Sequence, residues 1–180
     1  MVRPILYVDM DGVIVDFPET QSDIDISIRD ECVEWCEKNR KHHSDFEGLF
    51  ATLLPKKGAV DAVCRLNGKF EVYLLSSAPW GNIEAWSDKR RWVEEYLPQL
   101  GRKYLILSHR KDLNRGAYLI DDRARNGASD FGTHEGQEWI HFGSERFPDW
   151  GVILDYLRPD QDRKMTGLKK RNQNHKPEEV

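Results

Sequence analysis

Cysteine is scarce in this chain, with three residues in 180, and none falls into a pattern that suggests a partner. Cys32 and Cys36 sit one helical turn apart and Cys64 stands alone, with no His or Cys pair to complete a zinc set, so reduced thiols are expected. Long apolar runs are also missing. No stretch approaches the ~18 residues of a membrane span, and residues 1–4 are too short and polar to open a secretory signal, so a cytoplasmic protein is expected, with no membrane partner. Nor does charge of one sign dominate: 27 Lys and Arg face 31 Asp and Glu, and the net −4 offers no general attraction for a nucleic-acid polymer. No internal repeat or low-complexity linker breaks residues 1–157. One domain over residues 1–160 is expected, with a single core drawn from the 39% hydrophobic residues. Residues 161–180 are polar and basic and read as a disordered tail, an RNA-binding arm being the minority reading.

What is present is a set of short apolar runs. Pro4 to Asp9 (P-I-L-Y-V-D) lacks clean alternation, as expected of a strand buried on both faces of a parallel sheet, and similar runs recur at 70–76, 104–107, 117–121 and 138–142. Between them residues 58–66, 87–97 (Ser87 as N-cap) and 150–157 read as helices. This alternation predicts an α/β fold, a Rossmann-like three-layer sandwich around a parallel sheet. A long helix over 27–41 interrupts it directly after the first strand, which predicts a small helical cap inserted at about 18–55 above the sheet edge.

Polar groups then collect where strands end. Tyr7 to Phe17 (Y-V-D-M-D-G-V-I-V-D-F) places Asp9 and Asp11 past the first strand; Ser76 and Ser77 close the second; Lys111 follows the third; Asp121 and Asp122 close the fourth. Ligands of open α/β sheets bind at this carboxyl end. Residues i and i+2 of an extended chain point the same way, so Asp9 and Asp11 can share one pocket. Like charges so placed repel unless a hard cation lies among them. With Asp121 or Asp122 adding an oxygen, the set suits Mg²⁺, which takes one or two carboxylates plus phosphate and water. Ser76, Ser77 and Lys111 supply donors and charge for a phosphate, so the groups together describe phosphoryl transfer. An EF-hand loop fails as an explanation, because counting back from Gly12 puts Tyr7 at its first position. Lys103 competes with Lys111, but it precedes the third strand instead of following it.

On these residues the sequence resembles the haloacid dehalogenase superfamily of phosphohydrolases. Asp9-Met10-Asp11-Gly12-Val13 matches the first motif of that superfamily, Ser76 the second, Lys111 the third and Leu119-Ile120-Asp121-Asp122 the fourth. Within it the chain is similar to the 5'(3')-deoxyribonucleotidases, the cytosolic type-C 5'-nucleotidases, on V-D-M-D-G-V-I-V-D-F, L-S-S-A-P, W-S-D-K-R-R-W-V-E-E-Y-L, the lysine ten residues before the paired aspartates, and L-I-D-D-R. The resemblance implies a Mg²⁺-dependent hydrolase of nucleoside monophosphates. Asp9 would be the nucleophile that forms an aspartyl-phosphate. Asp11 would be the acid and then the base, with its carbonyl on the metal. Asp9, Asp122 and, in support, Asp121 would serve the metal; Ser76, Ser77 and Lys111 would hold the phosphate; Phe17 would pack on the base and Arg123 would contact base or phosphate. The cap is shorter than in mammalian members, with Trp35, Phe46 and Phe50 as its aromatic candidates. The same motifs serve a sugar phosphatase as the alternative reading, or a silent nucleotide- or protein-binding module as a lesser one. A homodimer is compatible with the sequence, which does not fix the oligomeric state.

Overall fold

The structure, a computed structural model, describes residues 2–158; the tail expected at 161–180 lies outside the described residues. Five parallel strands form one sheet in the order β3-β2-β1-β4-β5: β1 (Ile5–Val8), β2 (Glu71–Ser76), β3 (Leu105–Leu107), β4 (Tyr118–Asp121) and β5 (Glu138–His141). The apolar runs became strands because both faces of the sheet are covered. Leu6, Val8, Val72, Leu74 and Ile120 enter the larger core on one face, while Tyr7, Leu75 and Leu119 meet Ala128 and Phe131 on the other. A continuous apolar run, rather than an alternating one, is what two-sided burial selects.

The helices are α1 (Arg29–Asn39), α2 (Ala59–Asn67), α3 (Glu84–Tyr96), the four-residue α4 (Ala128–Phe131) and α5 (Trp150–Tyr156). Two details differ from the sequence reading. Helix α3 starts three residues earlier than expected, and Ser87 is not its cap. The buried amide of Asn82 takes that role, its Oδ1 accepting from the Glu84 and Ala85 backbone N–H groups at 3.1 Å each. Helix α4 was not foreseen, because A-S-D-F is too short to show a helical period.

The segment between β1 and α2 contains one α-helix, α1, and three single 3-10 turns at Gln21–Asp23, His43–Asp45 and Leu49–Thr52. Its two ends are pinned together. Val15 bridges Pro55 in antiparallel fashion, flanked by Asp16 N–H to the Leu54 carbonyl and Lys56 N–H to the Ile14 carbonyl, both 2.8 Å. Asn82 also joins this segment to α3, donating through Nδ2 to the carbonyls of Ser44 (3.2 Å) and Phe46 (2.7 Å).

Candidate active site

Strand β1 is central and ends at the bottom of a cleft. Past it the Asp9 N–H still reaches the Ile120 carbonyl at 2.9 Å, and the chain then folds into a tight turn whose Val13, Ile14 and Val15 N–H groups all converge on the Met10 carbonyl. Gly12 sits in that turn at φ +78°, and a Cβ there would stand 2.2 Å from Asp122 Oδ2. Only glycine permits both the backbone angle and the approach. The glycine after the two carboxylates is thus what lets a third carboxylate close over them.

Lys89 is the residue that sequence reasoning missed. It projects from the inward face of α3, with a side chain 1% exposed, and its Nζ lies 2.6 Å from Asp11 Oδ2, 3.2 Å from Ser76 Oγ and 4.8 Å from the centre of the Phe50 ring. A signal did exist. Lys89 stands four residues after Ala85 and three before Trp92, all buried, so a lysine occupies a slot in the apolar stripe of its helix. Such a slot calls for an anionic partner.

Lys111 is equally buried. It pairs with Asp121 Oδ2 and lies 3.0 Å from Asp9 Oδ1, without the alignment of a hydrogen bond to the latter. Burial alone would pull its ammonium down, but Asp9 and Asp121 outweigh this and hold it above the ordinary lysine value. The paired aspartates are oriented from β5: the Trp139 indole donates to the Asp121 carbonyl at 3.2 Å and the His141 imidazole to that of Asp122 at 3.0 Å.

The carboxylates are crowded. Burial first, and the charge of Asp9 second, push Asp121 up to about 7 and raise Asp122; burial also raises Asp11, against the opposing pull of Lys89. Asp9, Asp121 and Asp122 each offer an oxygen within 4.8 Å of the others, and Oδ1 of Asp9, Asp11 and Asp122 is buried with no hydrogen-bond partner. Orphaned acceptors at this density fit a divalent cation, which satisfies their lone pairs and offsets their repulsion.

Above them opens a cleft of about 630 Å³, within the range of small-molecule sites. Asp9, Asp11, Phe17, Ser77, Lys111, Asp121, Asp122 and Arg123 all line it. Ser76 is set back: it is 1% exposed and its hydroxyl is engaged by Lys89. The Ser77 hydroxyl accepts from Asn126 Nδ2 at 3.0 Å, and Arg123 Nε lies 3.5 Å from Asp122 Oδ2. Phe17 is half-buried, its ring tilted against His43 (5.6 Å) and Phe50 (5.7 Å). Of the other cap aromatics, Phe50 reaches the cleft wall, whereas Trp35 and Phe46 pack on each other at 5.8 Å. Lys103 lines a separate groove beside α3, so Lys111 is the lysine at the carboxyl-end rim.

Five parallel strands, with Asp9 and Asp11 past the central one and the buried Lys111 between Asp9 and Asp121, define an α/β fold of haloacid dehalogenase-like type with a polar cleft at the carboxyl ends of its strands. The fold agrees with the crystal structure of a candidate haloacid dehalogenase-like hydrolase from Burkholderia xenovorans, with a TM-score of 0.51 and 11% identity over 98% of this chain and 90% of that one. The chain belongs to the family of 5' nucleotidase, deoxy (pyrimidine), cytosolic type C proteins, whose profile matches residues 3–146. It is 50% identical over 159 residues to a candidate 5'(3')-deoxyribonucleotidase of Vibrio phage KVP40, covering 86% of this chain and 85% of the relative. A candidate 5'(3')-deoxyribonucleotidase of Staphylococcus epidermidis is 27% identical over 178 residues, or 87% of this chain and 97% of that protein. As a member of this family the chain is an enzyme, a phosphoric monoester hydrolase of nucleotidase type. Among the described residues no helix is long and apolar enough to cross a membrane.

Proposed function

We propose that the enzyme hydrolyses nucleoside monophosphates, as a 5'(3')-deoxyribonucleotidase, through an aspartyl-phosphate on Asp9 and with Mg²⁺ as its cation. The observation that carries the reading is that Asp9 and Asp11 face one cleft in different electrostatic settings: Asp9 buried beside the Lys111 ammonium, Asp11 half-buried, raised and tethered by a single oxygen to Lys89. Paired carboxyls whose environments differ are suited to different roles.

In this mechanism an Asp9 oxygen attacks phosphorus, forming an acyl-phosphate as the bond to the leaving alkoxide breaks. Protonated Asp11 gives its proton to that alkoxide and is left as a carboxylate. Asp11 then takes a proton from water as the water oxygen attacks phosphorus, which releases inorganic phosphate and restores Asp9. Lys111 and the Ser77 hydroxyl hold phosphate oxygens, Lys111 being kept in place by Asp121. Ser76 acts from behind, fixing Lys89. When bound, Mg²⁺ supplies positive charge that offsets repulsion between the Asp9 carboxylate and the phosphate. Asp122 is the better direct ligand of the pair, since both Asp121 oxygens are engaged, by Lys111 and by the Arg123 N–H, while Asp122 Oδ1 has no hydrogen-bond partner. Phe17 offers a ring face to the base, and Arg123 lies beside it at the rim.

The test is a panel of nucleoside monophosphates and sugar phosphates, assayed with Mg²⁺ and with EDTA. Preferred turnover of nucleotides that EDTA abolishes is expected. A tenfold preference for sugar phosphates would leave the phosphatase chemistry and remove the nucleotide reading.

A further inference from the structure

We propose that Trp80 is a specificity-determining residue on which the substrate's nucleobase stacks, an inference that rests on the nucleotide reading above. Trp80 is 84% exposed, and it lines the same cleft as Asp9, Ser77 and Phe17. Single exposed apolar residues are ordinary on protein surfaces. A bare indole at the mouth of a catalytic cleft, held by a rigid turn, is another matter.

The rigidity is visible in the turn itself. The Asn82 N–H returns to the Pro79 carbonyl at 3.2 Å, and the Asn82 side chain is locked from both ends by the Ser44 and Phe46 carbonyls and the first N–H groups of α3. Gly81 presses so closely on Asp45 that a Cβ would lie 2.6 Å from its carboxylate. The loop therefore presents Trp80 from a fixed backbone. His109 steadies the ring: its Nε2–H donates to the Ala78 carbonyl at 2.7 Å, and its imidazole meets the indole edge to face at 6.4 Å and 65°. Among the described residues no other ring contacts Trp80, so no aromatic is stacked flat on it.

Position then selects the ligand chemistry. Trp80 stands three positions after Ser77, a chain reach of at most ~10 Å, which is the order of length of a nucleoside monophosphate from phosphorus to base. With phosphate at Ser77 and Lys111, the far end of the substrate arrives at the level of Trp80. A phosphate or sugar has no π-face to offer there; a base does. Phe17 gives the cleft a second aromatic surface, but a smaller one already engaged by His43 and Phe50. Because the Trp80 turn is preorganised, little ordering cost offsets the stacking.

The experiment compares kcat/KM for 2'-deoxynucleoside 5'-monophosphates with kcat/KM for base-free 2-deoxyribose 5-phosphate, in wild type, Trp80→Ala, Trp80→Phe and Trp80→Leu. The nucleotide-to-sugar-phosphate ratio should fall about five- to 150-fold in Trp80→Ala, the equivalent of ~1–3 kcal/mol of base stacking, with the loss in KM rather than kcat. Trp80→Phe should recover most of it and Trp80→Leu should not. A Trp80→Ala ratio within about twofold of wild type, or recovery by leucine as full as by phenylalanine, overturns the stacking role and leaves the nucleotide reading intact. A wild-type ratio near one overturns both.

Discussion

The Lys89 ammonium reaches across 78 residues of sequence to hold one oxygen of Asp11 at 2.6 Å, leaving the other oxygen buried and without a hydrogen-bond partner. Burial would otherwise leave this carboxyl free to turn and to keep its proton too firmly. Lys89 fixes the rotamer and pulls against that rise. Lys89→Met keeps the stem of the side chain and removes the charge. The expected result is a 10- to 100-fold loss in kcat, because proton transfer by a positioned acid contributes about 10²- to 10⁴-fold in all. KM should move far less, since Lys89 lies behind Asp11, away from the phosphate. Steady-state kinetics showing the loss in KM alone would count against this positioning role.

Much of this site could be read from the sequence, and the reasons are local. Strand ends are marked by apolar runs that stop at Asp9, Ser76 and Asp121, and a parallel sheet delivers all strand ends to one rim, so spacing alone located the cleft. Lys89 and Asn82 were hidden because their partners are 78 and 36 to 38 residues away. Tertiary pairing explains why a lysine is tolerated in an apolar stripe, and the distant Ser44 and Phe46 carbonyls hold the Asn82 side chain where its Oδ1 makes the local cap of helix α3. The cap aromatics were ambiguous for the same reason: Phe50 and Phe46 differ in whether the fold turns them to the cleft or to Trp35.

Gly12→Ala tests whether the turn after Asp11 is shaped by Asp122. An alanine at φ +78° costs roughly 1 kcal/mol, and its Cβ, 2.2 Å from Asp122 Oδ2, forces that carboxylate aside. Since a side-chain end can move, the stability loss should stay at about 1–2 kcal/mol. The functional loss should be larger. Wild type is expected to gain in Tm on adding Mg²⁺, as any ligand of the folded state confers, and Gly12→Ala should lose most of that gain. Thermal scans that give both proteins the same Mg²⁺ response would sink the idea.

Asp9→Asn should end turnover, because an amide cannot carry the acyl-phosphate, while the fold persists. Asp9 is a cause of the raised values of Asp11, Asp121 and Asp122, so removing its charge relaxes the cluster. Lys111 keeps Asp121 as its partner. In metal-free buffer Tm should therefore hold or rise slightly. Mass spectrometry of the wild-type enzyme after fluoroberyllate or substrate trapping should place the adduct on Asp9, and an adduct on any other residue refutes the assignment.

The last prediction concerns His43, which is buried beneath Phe17, with its Nε2–H donated to the Pro18 carbonyl at 3.0 Å. Burial chiefly, then the neighbouring His42, its ring tilted against this one at 3.9 Å, and the charge of Arg123, pull its imidazole below the usual histidine value. The folded protein thus keeps His43 neutral at a pH where an unfolded chain, with a histidine near 6.5, begins to bind a proton. The unfolded state then holds more protons than the folded state, and stability rises with pH. The contribution is fully present above about pH 6.5 and is lost as pH falls from there towards the depressed folded value, at no more than ~1.4 kcal/mol per pH unit for one proton. His43→Gln retains an N–H for the Pro18 carbonyl but cannot titrate. Wild-type Tm should drop more steeply than that of His43→Gln between about pH 7.5 and about pH 5.5. Because the other histidines are common to both proteins, the difference in slope isolates His43, and parallel curves would show that it does not carry this pH dependence. Phe17 lies against the same imidazole, so KM for nucleotides should climb over that interval in wild type and stay flatter in the variant.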